Sequence, residues 1–320
     1  MPGDTLLANI RPYLKKAWLA SFEGICSADV LAFSPEKITT SFLYDIIARD
    51  CFIEYVMGGV KGSKMPRGDK AHILEYEFAI PEKSEQEKIS AFLASIDHRI
   101  KKQREMIDVL KKYKRGAIKK LLSPKSCPLK NAKWTTAKLD EIGSFIKGAP
   151  LSKADISDDG TPFILYGELY TTYNEVVTNV KRRTQAQVDE LFLSREGDVV
   201  IPISGETAEE ISTASCVMLS DVILAGDLII YRSHKVDGRI ISYLLNHVVN
   251  TQIARIAQGK SVVHIQASEL RQLTLSYPDE KTQKTLIAFL SKLDDKVINE
   301  ENALAFLINL KVGLLQQLFI

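Results

Sequence analysis

Residues 81–100 read PEKSEQEKISAFLASIDHRI, and residues 278–297 read PDEKTQKTLIAFLSKLDDKV. The two stretches superimpose without a gap at an offset of 197 residues. Carried on to residue 121, the alignment keeps ten of 41 positions: Pro81/Pro278, Gln86/Gln283, Ala91/Ala288, Phe92/Phe289, Leu93/Leu290, Asp97/Asp294, Leu110/Leu307, Lys114/Lys311, Gly116/Gly313 and Leu121/Leu318. Further positions exchange one apolar residue for another, as in Ile89/Leu286, Ile96/Leu293 and Ile100/Val297. Unrelated sequences of ordinary composition match about once in sixteen positions. The chain therefore contains a duplication, and the repeat governs every later reading.

The echo continues upstream. Gly62/Gly259 and Ile73/Leu270 keep the same offset. With small shifts, Asp29 in CSADVLAF matches Asp227 in LAGDLIIY, and Gly3-Asp4 in GDTLLANI matches Gly197-Asp198 in GDVVIPIS. Residues 134–196 have no counterpart before residue 81. The repeat reads as one partial unit followed by one complete unit.

Each copy of the quoted stretch opens a long helix. From Ile89 the apolar positions run Phe92, Leu93, Ile96, Ile100, Ile107, Leu110, Ile118 and Leu121, mostly three or four apart. The second copy gives Leu286, Phe289, Leu290, Leu293, Val297, Leu304, Leu307, Leu314, Leu315 and Leu318. Ser84, Glu85 and Gln86 after Pro81 offer cap chemistry. Roughly 36 residues at about 1.5 Å each predict a rod of about 54 Å. Two such stripes on one chain predict a coiled-coil pair; the alternative is that each helix packs only on its own globular unit. Between the helices the chain changes character. DVVIPIS, DLIIYRS and RQLTLSY sit among Gly, Asp and Ser turns and predict strands. Residues 238–256 (GRIISYLLNHVVNTQIARI) predict one amphipathic helix, echoed in part by residues 41–55. LLSPKSCPLKNAKW, with two prolines, reads as a linker. The expected fold class is α+β.

Composition sets the outer limits. With 320 residues, 45% hydrophobic and 26% charged, the chain has enough apolar material for two domains and is not a disordered polymer. A formal charge of +2 excludes a strongly basic coat but not local patches. Cys26, Cys51, Cys127 and Cys216 lie far apart, without metal-ligand spacing, and read as reduced thiols. The opening MPGDTLLANIRPYLKK lacks signal-peptide order, and the best apolar run, residues 222–231, is cut by Asp227. The expectation is a cytoplasmic protein with no membrane association.

A search for catalytic chemistry returns little. AQGKSV holds a GKS triplet, yet a phosphate loop needs Gly where Ala254 stands. Pro278-Asp279-Glu280-Lys281 superficially resembles part of a metal-nuclease site, but adjacent residues at a helix start cannot converge on a metal pair. A charged helix start favoured by the macrodipole explains it better. The histidines 72, 98, 234, 247 and 264 are scattered. No catalytic residue, metal or cofactor is expected.

Basic residues do cluster. Residues 99–120 hold ten Lys or Arg against Glu105 and Asp108, whereas residues 296–317 hold two Lys against two Glu. A solvated helix face and a face for nucleic acid or an acidic partner both fit this pattern. In the globular parts, Lys61, Lys64, Arg67 and Lys70, then Lys147, Lys153, Lys181, Arg182, Arg183 and Lys260 with Ser261, fall in loop-like contexts. Tyr166, Tyr170 and Tyr173 lie nearby in sequence. Cations hold phosphates while polar and planar groups read bases, so the mixture suits DNA without demanding it, and Lys61, Lys64, Arg67, Lys147, Lys153, Lys181, Arg182, Arg183, Lys260 and Ser261 are the residues it would offer to DNA.

The runs GSKMPRGDKAHIL, IPEKSEQEKISAFLASIDHRI and KKYKRGAIKKLL, with their second copy from KWTTAKLDEIGSFIKG to LKVGLLQQLF, resemble the specificity subunit of type I restriction–modification systems. The resemblance covers nearly the whole chain. It implies two target-recognition domains, each reading half of a split duplex-DNA site, separated by two long helices in an antiparallel coiled coil. It also implies that the helices act as a ruler and carry methyltransferase subunits, which recruit motor-nuclease subunits. About 54 Å of helix would set half-site centres no more than about 16 base pairs apart. The domains expected are a partial first recognition domain over 1–80, a spacer helix over 81–123, a linker over 124–133, a complete recognition domain over 134–277 and a second spacer helix over 278–320. Two departures stand out. The Glu-Gln of the first copy is Thr282-Gln283 in the second, and the chain opens about 60 residues later than the family pattern. The expectation is an N-terminally truncated member, arising from gene rearrangement, internal initiation or trimming, whose incomplete first domain self-associates. A second reading is an interaction protein that occupies methyltransferase subunits through its helices without productive DNA recognition. A free-standing nuclease is the third, and would require metal-dependent cleavage by the isolated chain.

Overall fold

The computed structural model describes residues 1–257 and 263–318. The chain divides into two compact units, Met1–Asp108 with Ile298–Ile320, and Val109–Val297. Each unit thus contains part of both long helices, which span Lys83–Leu121 and Glu280–Gln317. At 39 and 38 residues they are slightly longer than the apolar stripe indicated. The additional turn precedes Ile89, where polar residues continue the helix beyond its buried stripe.

In the first unit, Thr5–Ala8 is the middle strand of an antiparallel sheet, flanked by Ala17–Leu19 and Val30–Phe33. Alternation sends Leu7 into a core with Leu43, Ile47, Phe52, Ile53, Val56 and Ile73, while Leu6, Trp18 and Ala32 share the other face. The helix pair runs antiparallel here: Asp97 binds Lys311 at 2.6 Å, and further along Gln103 donates to the Glu300 carboxylate at 2.6 Å. Both contacts join the two long helices, whose pairing the apolar periodicity predicted.

The second unit is richer in strands. Its five-stranded sheet runs Gly143–Lys147, Leu228–Ser233, Asp198–Pro202, Ser215–Val217, Val176–Val177, antiparallel except for the last pair. Asp198–Pro202 is buried at all five positions. Val199 and Ile201 face one cluster and Val200 the other, so this strand lacks the half-polar alternation of a surface sheet. A three-stranded sheet places Thr161–Leu165 between Ile223–Ala225 and Arg182–Thr184. Trp134–Lys138 and Thr274–Pro278 pair with each other, bringing the two ends of this body together.

The duplication is visible in register. Leu6 faces Ala32 in one unit as Val200 faces Ile230 in the other. Gly3 and Gly197, matched in sequence, both have φ of +91°, a conformation that penalises any side chain. The repeated glutamine explains itself as well. Gln86 donates to the Pro81 carbonyl at 2.8 Å and accepts from the Thr39 amide at 2.8 Å. Gln283 donates to the Pro278 carbonyl at 2.9 Å and accepts from the Asp237 amide at 2.9 Å. Thr39 and Asp237 each precede a domain helix, Thr40–Ile47 and Gly238–His247. The cap chemistry expected of Ser84-Glu85-Gln86 is therefore a clamp made by the glutamine, fastening each long helix to the start of a domain helix.

One expected element differs. Residues 238–256 form two helices, Gly238–His247 and Asn250–Ile256, and the echo at 41–55 is also split, into Thr40–Ile47 and Asp50–Gly58. Val248 and Val249, both β-branched, contribute little helix propensity at the break. The turn lets Ile253 reach the core alongside Ile240, Ile241 and Leu244.

Candidate nucleic-acid interface

The predicted basic residues of the second unit occupy different settings. Lys147 ends the edge strand Gly143–Lys147 and is exposed, as is Lys153 in the short turn after Ser152. Lys181 is exposed, with its backbone amide held by the Tyr173 hydroxyl at 3.1 Å. Arg182 and Arg183 are neighbours on the strand Arg182–Thr184 and so point to opposite faces. Arg183 is exposed and donates to the Gly160 carbonyl at 2.8 Å. Arg182 donates its Nε to Glu168 at 2.9 Å.

Lys153 and Arg182 come together at a cleft of about 860 Å³, lined also by Tyr166, Tyr170, Glu168, Glu206, Glu210 and Asp227. Glu168 is the residue that sequence reading missed. Its side chain is 5% exposed, and besides Arg182 it accepts the Leu165 amide at 3.1 Å. Arg182 stands opposite Phe163 across the sheet, and that register carries Glu168 to it. A spacing of 14 residues gives no sequence signal for such a pair. Two cleft acids are already engaged: Glu210 accepts the amides of Glu206 and Thr207, and Asp227 accepts the Ser204 hydroxyl at 3.2 Å.

In the first unit, Lys61 and Arg67 bridge each other through backbone pairing. Lys61 is ion-paired to Asp69, and Arg67 donates to Asp29 at 2.9 Å, whereas Lys64 is exposed. Lys260, Ser261 and the rest of the GKS triplet lie outside the described residues.

A second ionic assembly lies deeper in the second unit. Lys114, on the first long helix, contacts Glu175 at 2.7 Å and Asp294 at 2.5 Å. Glu175 also meets His247 at 2.5 Å, and Asp294 accepts from the Tyr243 hydroxyl. Burial alone would raise the Glu175 carboxyl, but the His247 hydrogen bond and the Lys114 charge overcome it and hold the group at about 2. Asp294 is shifted the other way: burial raises it despite Lys114. Lys114 is the repeat counterpart of Lys311, and Asp294 of Asp97, so the same ionic bond recurs in each unit. Tyr44 lies within electrostatic range of Lys311 and Asp97, and burial raises its hydroxyl. These groups tie elements together within the protein.

Among the described residues, no group of three or more His, Cys, Asp or Glu is placed to hold a metal ion, and no helix is long and apolar enough to cross a membrane. All four cysteines are free.

The chain is thus a duplicated α+β protein with two long helices. Comparison narrows the class. The family model for the type I restriction modification DNA specificity domain matches residues 1–112 and 131–306, and the chain belongs to that family. It is thereby a type I specificity protein, concerned with DNA recognition. It is 21% identical over 301 residues to the type I restriction enzyme MjaVIII specificity subunit of Methanocaldococcus jannaschii, covering 86% of this chain and 68% of that protein. It is 30% identical over 87 residues to the EcoDI specificity subunit of Escherichia coli, covering 27% of this chain and 19% of that one. Among solved structures, a chain from a study of type I restriction–modification complex assembly and conformational transition superimposes with a TM-score of 0.65 at 17% identity, covering 99% of this chain and 82% of the other. The S subunit from M. genitalium gives 0.59 at 14% identity, covering 100% and 83%. These structural likenesses bear on the fold.

Proposed function

We propose that this chain is the non-catalytic DNA-reading subunit of a type I restriction–modification complex in the cytoplasm, recognising a bipartite duplex site and carrying methyltransferase and motor-nuclease subunits. The observation that carries the reading is the family match over both repeats, on either side of residues 113–130. In this proposal residues 1–80 and 134–277 are the recognition domains, 81–123 and 278–320 the spacer helices, and 124–133 the linker. Lys147, Lys153, Lys181, Arg182 and Arg183 face DNA, together with Lys260 and Ser261, and Lys61, Lys64 and Arg67 serve the first domain. Exposure of Lys64, Lys147, Lys153, Lys181 and Arg183 supports this assignment, since a phosphate contact needs a cation at the surface.

Exposed apolar residues on the helices support partner docking. In the first unit these are Phe92, Phe306 and Leu310 together with Met106, Ile298, Ile308 and Val312; in the second they are Phe289, Val109 and Tyr113. The second set is the repeat counterpart of Phe92, Phe306 and Leu310, residue for residue. Apolar exposure maintained at matched positions suits two copies of one protein partner. Self-association through the first unit draws support from its sheet, in which Ala17–Leu19 and Val30–Phe33 are both edge strands and Trp18 is exposed.

Methylation sequencing of DNA from cells expressing this chain with its methyltransferase subunit tests the proposal. A methylated motif split by a fixed spacer is the expected result. No new methylation, with the subunits still co-purifying, would replace the proposal by an interaction protein without productive DNA recognition.

A further inference from the structure

We infer that Arg182 is a base-reading residue, with Glu168 as its positioning residue, and that the cleft between them and Glu206 takes the major-groove edge of a G·C pair rather than a backbone phosphate. This deepens the proposed function and rests on the second unit reading one half-site.

The first observation is how the arginines of this unit are used. Arg232 gives both Nε and Nη2 to Asp198, and Arg239 gives both to Asp237. Their forks are spent on the protein. Arg271 binds Asp140 through Nη1 while its guanidinium lies 5.0 Å from the Phe145 ring centre. Arg182 alone among these gives its carboxylate only Nε, so its terminal nitrogens have no partner among the described residues. A guanidinium fixed at Nε by a buried carboxylate, with the Nη pair free, matches the O6 and N7 acceptors of guanine.

The second observation is the charge of the cleft. Arg182 and Glu168 cancel, leaving Lys153 against Glu206, Glu210 and Asp227. A phosphate would meet net negative charge there. A base edge would not, because cytosine presents an amino donor beside the guanine acceptors. Glu210 and Asp227 already accept protein hydrogen bonds, whereas Glu206 is exposed with its carboxylate uncommitted among the described residues. Donor and acceptor thus line one cleft, with Tyr166 and Tyr170 completing its wall.

The test selects bound sequences from a randomised duplex pool using the full chain with its methyltransferase subunit, and measures affinity for the selected motif against salt. Arg182→Lys and Glu168→Gln are each expected to relax preference at the same G·C position by roughly 10- to 100-fold, with the salt slope of wild type. Glu168→Gln keeps an oxygen for the Leu165 amide, and thermal melting of both variants verifies folding. A motif retained intact by Arg182→Lys would overturn the assignment while leaving the half-site reading in place. So would a uniform loss across all sequences in Arg182→Gln with a salt slope lowered by about one, the mark of a phosphate contact that removing the charge abolishes. A wild-type chain with no sequence preference would overturn the half-site reading and this assignment together.

Discussion

Asp45 shows what a single buried group contributes to pH response. It sits on the helix Thr40–Ile47, accepts from the Ser90 hydroxyl at 2.7 Å, and burial raises its carboxyl to about 6 against that hydrogen bond. The folded state therefore holds this proton between about pH 4 and 6 when the unfolded chain has released it. Stability falls as pH rises through that window, by up to about 3 kcal/mol at the upper end. Asp45→Asn is expected to raise urea stability at neutral pH by about 1–3 kcal/mol and to leave it nearly unchanged near pH 4. Equal gains at both pH values would show that charge burial is not the cause. Glu175 has the opposite sign, since a carboxyl held at about 2 stabilises above its ordinary range and loses that contribution as the medium becomes strongly acid. Neither behaviour was legible in the sequence: Asp45 is raised by the packing that buries it, and the hydroxyl that opposes the shift, Ser90, lies 45 positions away.

The elements were legible to different degrees. Apolar spacing located both long helices, because an apolar stripe repeated along them leaves a strong periodic trace, although Phe92 and Phe289 within it are exposed and the second helix has no buried residue after Val297 among the described residues. The repeat also singled out Gln86 and Gln283, although only the fold shows the clamp they make. Each glutamine is at least 96% buried and bonds one carbonyl and one amide. Replacing either by Ala is expected to cost about 1–3 kcal/mol, since a buried amide is left without its acceptor. Separate urea titrations of Gln86→Ala and Gln283→Ala check this, and a loss below about 0.5 kcal/mol in both would show that the clamp is dispensable. The split of residues 238–256 was not visible, because its apolar pattern runs through Val248 and Val249 without interruption. The turn there follows from how Ile253 is received by the core.

At the scale of the whole molecule, the repeat-matched exposed residues invite a direct trial. Val109→Ser with Tyr113→Ser alters the second unit, and Phe306→Ser with Leu310→Ser alters the first. These side chains are exposed, so folding stability is expected to stay within about 0.5 kcal/mol per site. Methyltransferase co-purification should fall in both variants. The two losses should differ in salt dependence. Val109 and Tyr113 lie in the segment with ten Lys or Arg, whereas Phe306 and Leu310 lie in one with two Lys. With the first patch removed, binding should therefore become less sensitive to salt than with the second removed. Unchanged co-purification in both would move the docking surface off the helices.

The amino-acid sequence by itself determined that this protein is duplicated, α+β, held by two long helices and similar to type I specificity subunits. Periodicity and repetition are local or translational signals, and a one-dimensional string preserves them. Only the tertiary structure decided which charges are available. Arg182, Arg183 and Arg232 look alike in sequence, yet sheet register hands Glu168 to the first, a carbonyl to the second and the whole Asp198 carboxylate fork to the third; Arg239 alone finds its fork locally, in Asp237 two residues before it. The distinction arises because a charge is spent or free according to what lies within about 3 Å of it, and residues that close are brought together by strand pairing and core packing across many positions of chain.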